Sequence, residues 1–263
     1  GLVVLDASAH LPDAGRNPAA EFAEAHIPGA RFLDLPALVD RDSPVPGALP
    51  SRVQFVRHMA LLGVAQSAQV VLYDDSAVKT AARAWFICRL HGLRQVAVLD
   101  GGLGKWAGEG RPLEAGASRS EPTPFVSERG TGTVRDKAAL LANLDSRAEQ
   151  VVDARGPARF AGEEPDFRPD VTPGHIPGSR NLPFDRMFNP DGTYRDAAGI
   201  RAAFAEAGID WQRPLVTTCG GGTTAAVLLF AAHLAGKDDV ALYDGSWAEW
   251  GSDPATPKAT GPA

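Results

Sequence analysis

Cysteine is scarce in this chain: Cys88 and Cys219 are the two among 263 residues. Two thiols make no disulfide framework, and a reducing, cytoplasmic location is the expectation that follows. No apolar run approaches the roughly 20 residues of a membrane-spanning helix. No cluster of lysine and arginine offers a surface to nucleic acid or to anionic lipid, and the net charge of −6 opposes both. The opening residues, GLVVLDASAHLP, lack the basic start and small-residue cleavage site of a secretory leader; a leader trimmed from the chain stays open at this point. No His, Cys, Asp or Glu group has the spacing of zinc ligands, so no metal or organic cofactor is expected. What remains is ordinary globular composition, 44% hydrophobic and 22% charged, with length for one large domain or two smaller ones.

What is present is written twice. EAHIPGARFLDLP and PGHIPGSRNLPF share a His-Ile-Pro-Gly turn, with His26 and His175 lying 149 residues apart. VVLDAS near Asp6 answers VVDAR near Asp153, and VAVLDGGLGKW answers VALYDGSWAEW, with Gly101 and Gly245 lying 144 apart. Each half therefore repeats one order of strands and helices, which predicts two α/β domains with mostly parallel sheets flanked by helices. The first domain is expected over residues 1–113 and the second over 133–263. Residues 114–132, rich in Gly, Pro, Ser and Glu and without periodicity, read as a linker. Trp106, Trp247 and Trp250 stand at matched ends of the copies and read as packing anchors. His26 and His175 occupy the same turn of both copies, which points to a turn role.

The repeat also provides an internal control on the thiols. QVVLYDDSAVKTAARAWF superposes without a gap on RPLVTTCGGGTTAAVLLF, placing Asp75 opposite Cys219. The first copy thus keeps the scaffold and lacks the thiol. Cys219 follows a strand and precedes Gly220, Gly221, Gly222, Thr223 and Thr224, then an apolar helix ended by Gly236. Glycines let backbone curl around the preceding side chain. Successive N–H groups can form a nest backed by the positive end of the helix, which favours negative charge on sulfur. Thr223 and Thr224 are placed to add hydroxyl donors or to cap the helix. Cys88, inside AARAWFICRLHG, reads as a core thiol.

Together the paired H-I-P-G turns, VVDAR, the short Cys loop and the D-G-x-x-x-W ends resemble the rhodanese superfamily in its tandem-domain sulfurtransferase form, over nearly the whole chain. The resemblance implies a first domain without activity, an acidic residue at its cysteine position, and a Cys219 persulfide in the second. CGGGTTA is more similar to the loop of 3-mercaptopyruvate sulfurtransferases than to the basic loop of thiosulfate enzymes. The segment ARFAGEEPDFRPDVTPGHIPG, residues 158–178, resembles the segment with two arginines in the mercaptopyruvate enzymes, which implies that Arg159 and Arg168 bind the donor's carboxylate and keto oxygen, a role that suits the planar guanidinium fork; solvated arginines paired with Glu163 or Glu164 are the plainer alternative. The resemblance also offers His26 as a proton-relay member. The expected partners are a small-molecule sulfur donor and a thiol, thioredoxin or cyanide acceptor. Gly221 stands where the family has Ser, so the donor stays open between 3-mercaptopyruvate and thiosulfate.

Three other readings are weaker. GGGTTA fits G-x-G-x-x-A with Asp244 further on, but too little chain follows for a dinucleotide fold. A Cys-x5-Arg phosphatase loop fails because Ala225 stands where the arginine belongs. A noncatalytic interaction module leaves the glycine-cradled cysteine without a purpose.

Overall fold

Short runs such as LVVLD, QVVLY, QVVD, LVTT and VALY are rich in β-branched and aliphatic residues, and all become strands. The computed structural model describes residues 1–118 and 120–262. The chain divides into two units, one of Gly1–Arg41, Leu49–Gly132 and Asn189–Tyr194, the other of Asp42–Ala48, Thr133–Phe188 and Arg195–Ala263.

Unit 1 contains β1 (Leu2–Asp6), α1 (Pro18–Glu24), β2 (Arg31–Phe32), α2 (Arg52–Leu61), β3 (Gln69–Tyr73), α3 (Ala81–Leu90), β4 (Val96–Val98) and α4 (Gly102–Gly108). Its strands run in the order β2-β1-β3-β4, every pair parallel. Asn17 and Ser51 cap α1 and α2 with their side chains, the latter in a capping box with Gln54. Leu5, Leu72, Phe55, Met59 and Phe86 are buried in its core. Parallel neighbours require crossovers, and the helices supply them.

Of residues 114–132, expected as a linker, the described ones, 114–118 and 120–132, are packed along unit 1. Phe125 is buried, with its ring edge-on to Phe55 at 5.6 Å. The Thr123 N–H donates to Ala60 O, the Ser127 hydroxyl to His91 O and the Thr131 N–H to Arg89 O. Gly130 passes so close that an added Cβ would lie 2.0 Å from Arg89 O. One aromatic anchor and paired backbone polar groups make this segment a strap, despite its polar composition.

Unit 2 contains β5 (Thr133–Arg135), α5 (Lys137–Ser146), β6 (Gln150–Asp153), α6 (Pro157–Ala161), β7 (Arg180–Asn181), a 3-10 turn (Phe184–Met187), α7 (Ala197–Glu206), β8 (Leu215–Thr218), α8 (Thr223–Leu234), β9 (Val240–Tyr243) and α9 (Ser246–Trp250). The strand order is β5-β9-β8-β6-β7, again all parallel. β8 is central and buried throughout. Ala225 to Ala232 of α8 are all buried, so the helix is apolar on every side because it has no solvent face there. Each large side chain so buried contributes roughly 1.5–3 kcal/mol, which holds the start of α8 firmly.

The strand registers correct the pairing of the two loops. Asp6 of β1 lies opposite Tyr73 of β3, and Asp153 of β6 lies opposite Thr218 of β8. The Ala7 N–H donates to Tyr73 O just as the Ala154 N–H donates to Thr218 O. Tyr73 is therefore the counterpart of Thr218, and Asp74, not Asp75, stands where Cys219 stands. Residues 74–80 separate β3 from α3 and residues 219–222 separate β8 from α8, so the first loop is the longer, which a gapless superposition of the two sequences conceals.

Candidate active site

In open parallel sheets, chemistry gathers beyond the carboxyl ends of the strands, and Cys219 directly follows β8. Its side chain is buried, and its Sγ accepts the Gly222 N–H at 3.1 Å. Gly222 is the N-cap of α8, with φ 83°, a left-handed conformation that costs glycine nothing. Gly220 and Gly221 serve differently. A Cβ at Gly220 would lie 3.7 Å from Arg159 Nη2, and one at Gly221 would lie 3.2 Å from Arg168 Nη2. The bare backbone makes room for two guanidiniums over the loop.

α9 holds the other side. The Trp247 N–H donates to Cys219 O and the Ala248 N–H to Gly220 O, each at 2.9 Å. The Cys219 N–H donates to Ser246 Oγ at 3.2 Å, and that hydroxyl donates to Tyr243 O at 2.8 Å. With these carbonyls drawn to α9, the loop turns the Gly222 N–H onto sulfur. Trp247 is fixed by its indole N–H on Thr172 O and by Arg155, whose guanidinium carbon lies 4.8 Å from the ring centroid. Arg155 also grips both carboxylate oxygens of buried Asp153 and donates to the O of Gly174, the residue before the second H-I-P-G turn. Thr223 and Thr224 are the first residues of α8, half-buried at the rim; the cap is Gly222, and no side chain caps the helix.

Arg159, on the last turn of α6, and Arg168 share one carboxylate. Arg159 Nη2 donates to Asp166 Oδ2 at 2.5 Å, and Arg168 donates to Asp166 Oδ1 through both Nη1 and its backbone N–H, each at 3.0 Å. Asp166 is the observed partner here, where Glu163 and Glu164 had been the alternative. Its side chain is 2% exposed, against 31% and 28% for the two arginines. The exposed Phe167 ring lies beneath both, 4.2 Å from the Arg168 guanidinium carbon and 5.6 Å from that of Arg159. Sequence reasoning missed Asp166 and Ser246; the only signals were an aspartate between two arginines and a serine after Asp-Gly.

The two turn histidines match. His175 Nδ1 donates to Phe160 O and its ring stacks on Phe160 at 3.8 Å; its backbone pairs with Ala259. Burial lowers its pKa below the usual imidazole value. His26 is buried in unit 1, donates from Nδ1 to Phe22 O, stacks on Phe22 at 4.0 Å and has Nε2 3.1 Å from Glu114 Oε1. Cys88 is buried inside α3, and desolvation pushes its thiol up to about 12. No group of His, Cys, Asp or Glu among the described residues is arranged to hold a metal ion. No helix among them is long and apolar enough to cross a membrane.

The family model for the rhodanese-like domain matches twice, at residues 5–109 and 136–253. The chain belongs to the rhodanese-like family. Its two rhodanese-like domains align over 251 residues with the 3-mercaptopyruvate sulfurtransferase of Mus musculus, at 42% identity, covering 95% of this chain and 84% of the relative. The thiosulfate sulfurtransferase of Cricetulus griseus is 39% identical over 255 residues, covering 95% and 85%. Among solved structures, SseA from Escherichia coli, described as a 3-mercaptopyruvate sulfotransferase, superposes with a TM-score of 0.85 at 34% identity, over 94% of this chain and 92% of that one. Both rhodanese-like domains carry the H-I-P-G turn; the second alone carries a cysteine in the loop after its central strand, Cys88 of the first lying inside a helix.

Proposed function

We propose that the protein is a sulfurtransferase that moves a sulfur atom from 3-mercaptopyruvate through a Cys219 persulfide to a thiol, a thioredoxin or cyanide. The observation that carries this reading is a buried thiol accepting the Gly222 N–H at the start of α8, beneath two guanidiniums. A planar fork pairs well with a carboxylate, and the family relatives named above use these donors. Thiosulfate is the second reading, favoured by the 39% identical relative.

The Cys219 thiolate attacks the donor's sulfur. The new S–S bond forms as the carbon–sulfur bond breaks, and its electron pair leaves on carbon as the enolate of pyruvate, which then takes up a proton. Arg159 and Arg168 hold the carboxylate and keto oxygen, and the keto side stabilises the growing enolate charge. Gly220, Gly221, Gly222, Thr223 and Thr224 form the wall around the sulfur. The acceptor thiolate or cyanide attacks the outer sulfur, restoring Cys219. The chemistry asks for no metal or organic cofactor. We assign His26 to its turn and route no proton through it, since both its ring nitrogens face groups of unit 1. A cytoplasmic setting, where reduced thiol acceptors are abundant, accords with this reading.

The test is a pair of variants. After donor treatment, peptide mass spectrometry is expected to find the mass of one added sulfur on Cys219. Cys219→Ser is expected to lose all transfer, and Cys88→Ser to keep it. Equal activity in both variants, or sulfur found elsewhere, overturns the assignment. Side-by-side kcat/KM with the two donors is expected to favour 3-mercaptopyruvate by at least about tenfold, or about 1.4 kcal/mol of transition-state binding.

A further inference from the structure

The two arginines of the site do not present two full charges. Asp166 lies between them with its side chain 2% exposed, one oxygen accepting from Arg159 and the other from Arg168 at the side chain and backbone. Two positive charges against one negative leave the donor pocket with one positive charge. Burial of the carboxylate means that water screens this cancellation weakly. The neighbouring Arg155 is already matched by Asp153, so it adds no net charge.

We infer that Asp166 is a specificity-determining positioning residue: it sets the pocket to a single positive charge and thereby selects monoanionic donors over dianionic ones. A carboxylate with a neutral thiol brings the pocket to neutrality. A dianion such as thiosulfate leaves it one charge in excess. The same carboxylate aims the guanidiniums, because Arg159 Nη2 donates to one of its oxygens and Arg168 Nη1 to the other, which holds both close to Gly220 and Gly221. This inference deepens the donor reading above and rests on it for the identity of the natural donor, while its charge logic concerns anion binding alone.

The experiment measures binding without turnover: protection of Cys219 from the neutral alkylating agent iodoacetamide by pyruvate, a monoanion, and by sulfate, a dianion. In Asp166→Asn, the concentration of sulfate giving half-protection, taken relative to pyruvate, is expected to fall at least tenfold. Asp166→Glu, which keeps the charge, is expected to hold that ratio within threefold of the wild type. Arg159→Gln, which removes a positive charge, should move the ratio at least threefold the other way, and it serves if Asp166→Asn does not fold. A parallel kcat/KM comparison should show thiosulfate gaining on 3-mercaptopyruvate in Asp166→Asn. A ratio unchanged in the charge-altering variants, with both anions weakened equally, overturns the inference and leaves Asp166 a structural residue. A wild type inert towards both donors, with the protection ratio still shifting, removes the sulfurtransferase reading and keeps the charge selection.

Discussion

The loop after β3 in unit 1 and the loop after β8 in unit 2 leave equivalent strand ends and reach equivalent helices, yet they fill the anion position differently. In unit 1 the chain supplies the anion itself. Asp74 Oδ2 accepts the Ala81 N–H at 2.5 Å and Oδ1 accepts the Ser76 N–H at 3.4 Å. Ser76 and Thr80 share a hydroxyl bond, Thr80 donates to Ala7 O, and the Asp75 N–H donates to Ser8 Oγ. Half-exposed Asp75 pairs with Arg16 at 2.7 Å. In unit 2 the corresponding atoms are a sulfur, glycine backbone and the N–H groups of α9. A helix N-terminus attracts whatever negative charge is nearest. Unit 1 settles that attraction with a fixed carboxylate, and unit 2 keeps it for a reactive sulfur.

The comparison breaks most sharply if a thiol alone confers chemistry. Asp74→Cys, made together with Cys219→Ser, is expected to take up no sulfur from either donor, measured by peptide mass spectrometry at residue 74. The longer first loop is closed by serine and threonine hydroxyls, and it lacks the glycine whose N–H meets sulfur in unit 2. Persulfide at residue 74 would show that the loops differ only in one side chain.

A smaller effect concerns the charge that unit 1 buries. Desolvation pushes the Asp74 carboxyl from its ordinary 3.8 up to about 6, against the pull of the Ala81 and Ser76 N–H groups and of Lys79. The folded form thus binds this proton more tightly than the unfolded chain does. Stability from this group is complete below about pH 4 and is lost as pH rises through about 6, a span worth about 3 kcal/mol. Asp74→Asn removes the titration while keeping the shape. The wild type is expected to lose up to about 3 kcal/mol relative to the variant between pH 4 and 7, read from urea midpoints. A flat difference across that range would mean that the carboxylate is fully compensated by its neighbours.

Some of this molecule was legible as sequence because the information is local. The H-I-P-G turns, the strands ending in Asp6 and Asp153, and Cys219 before three glycines are contiguous signals, and the duplication weighed them. Arg159 and Arg168 were legible through resemblance, and the structure brings both guanidiniums over Gly220 and Gly221. The register of Asp74 was not legible. QVVLY can slide by one place on LVTT with two aliphatic residues still matching Leu215 and Val216, and only backbone pairing decides. The strap was hidden because its hold on unit 1 is one phenylalanine, backbone groups and a few polar side chains such as Glu114 and Ser127, none of which alters average composition. Asp166 was hidden because its role depends on a turn that brings residues 159, 166 and 168 together. The glycines of the loop looked alike in sequence, yet Gly222 alone among them takes a positive φ.

That difference gives the finest test of the comparison. The N-cap of α8 is Gly222 at φ 83°, whereas the N-cap of α3 is Thr80 at φ −69°. Gly222→Ala forces a Cβ into left-handed backbone, at about 1–2 kcal/mol, and the strain is relieved by rotating the N–H that meets Cys219 Sγ. Stability is expected to fall by that amount, and alkylation of Cys219 by iodoacetamide at neutral pH to slow several-fold. Thr80→Ala fits its backbone without strain and loses the hydroxyl bonds to Ser76 and Ala7, at about 1–2 kcal/mol. Its cost in stability is therefore similar, while the reactivity of Cys219 should stay unchanged. If both variants slowed the thiol equally, the Gly222 N–H would be serving the stability of the fold and not the charge on sulfur.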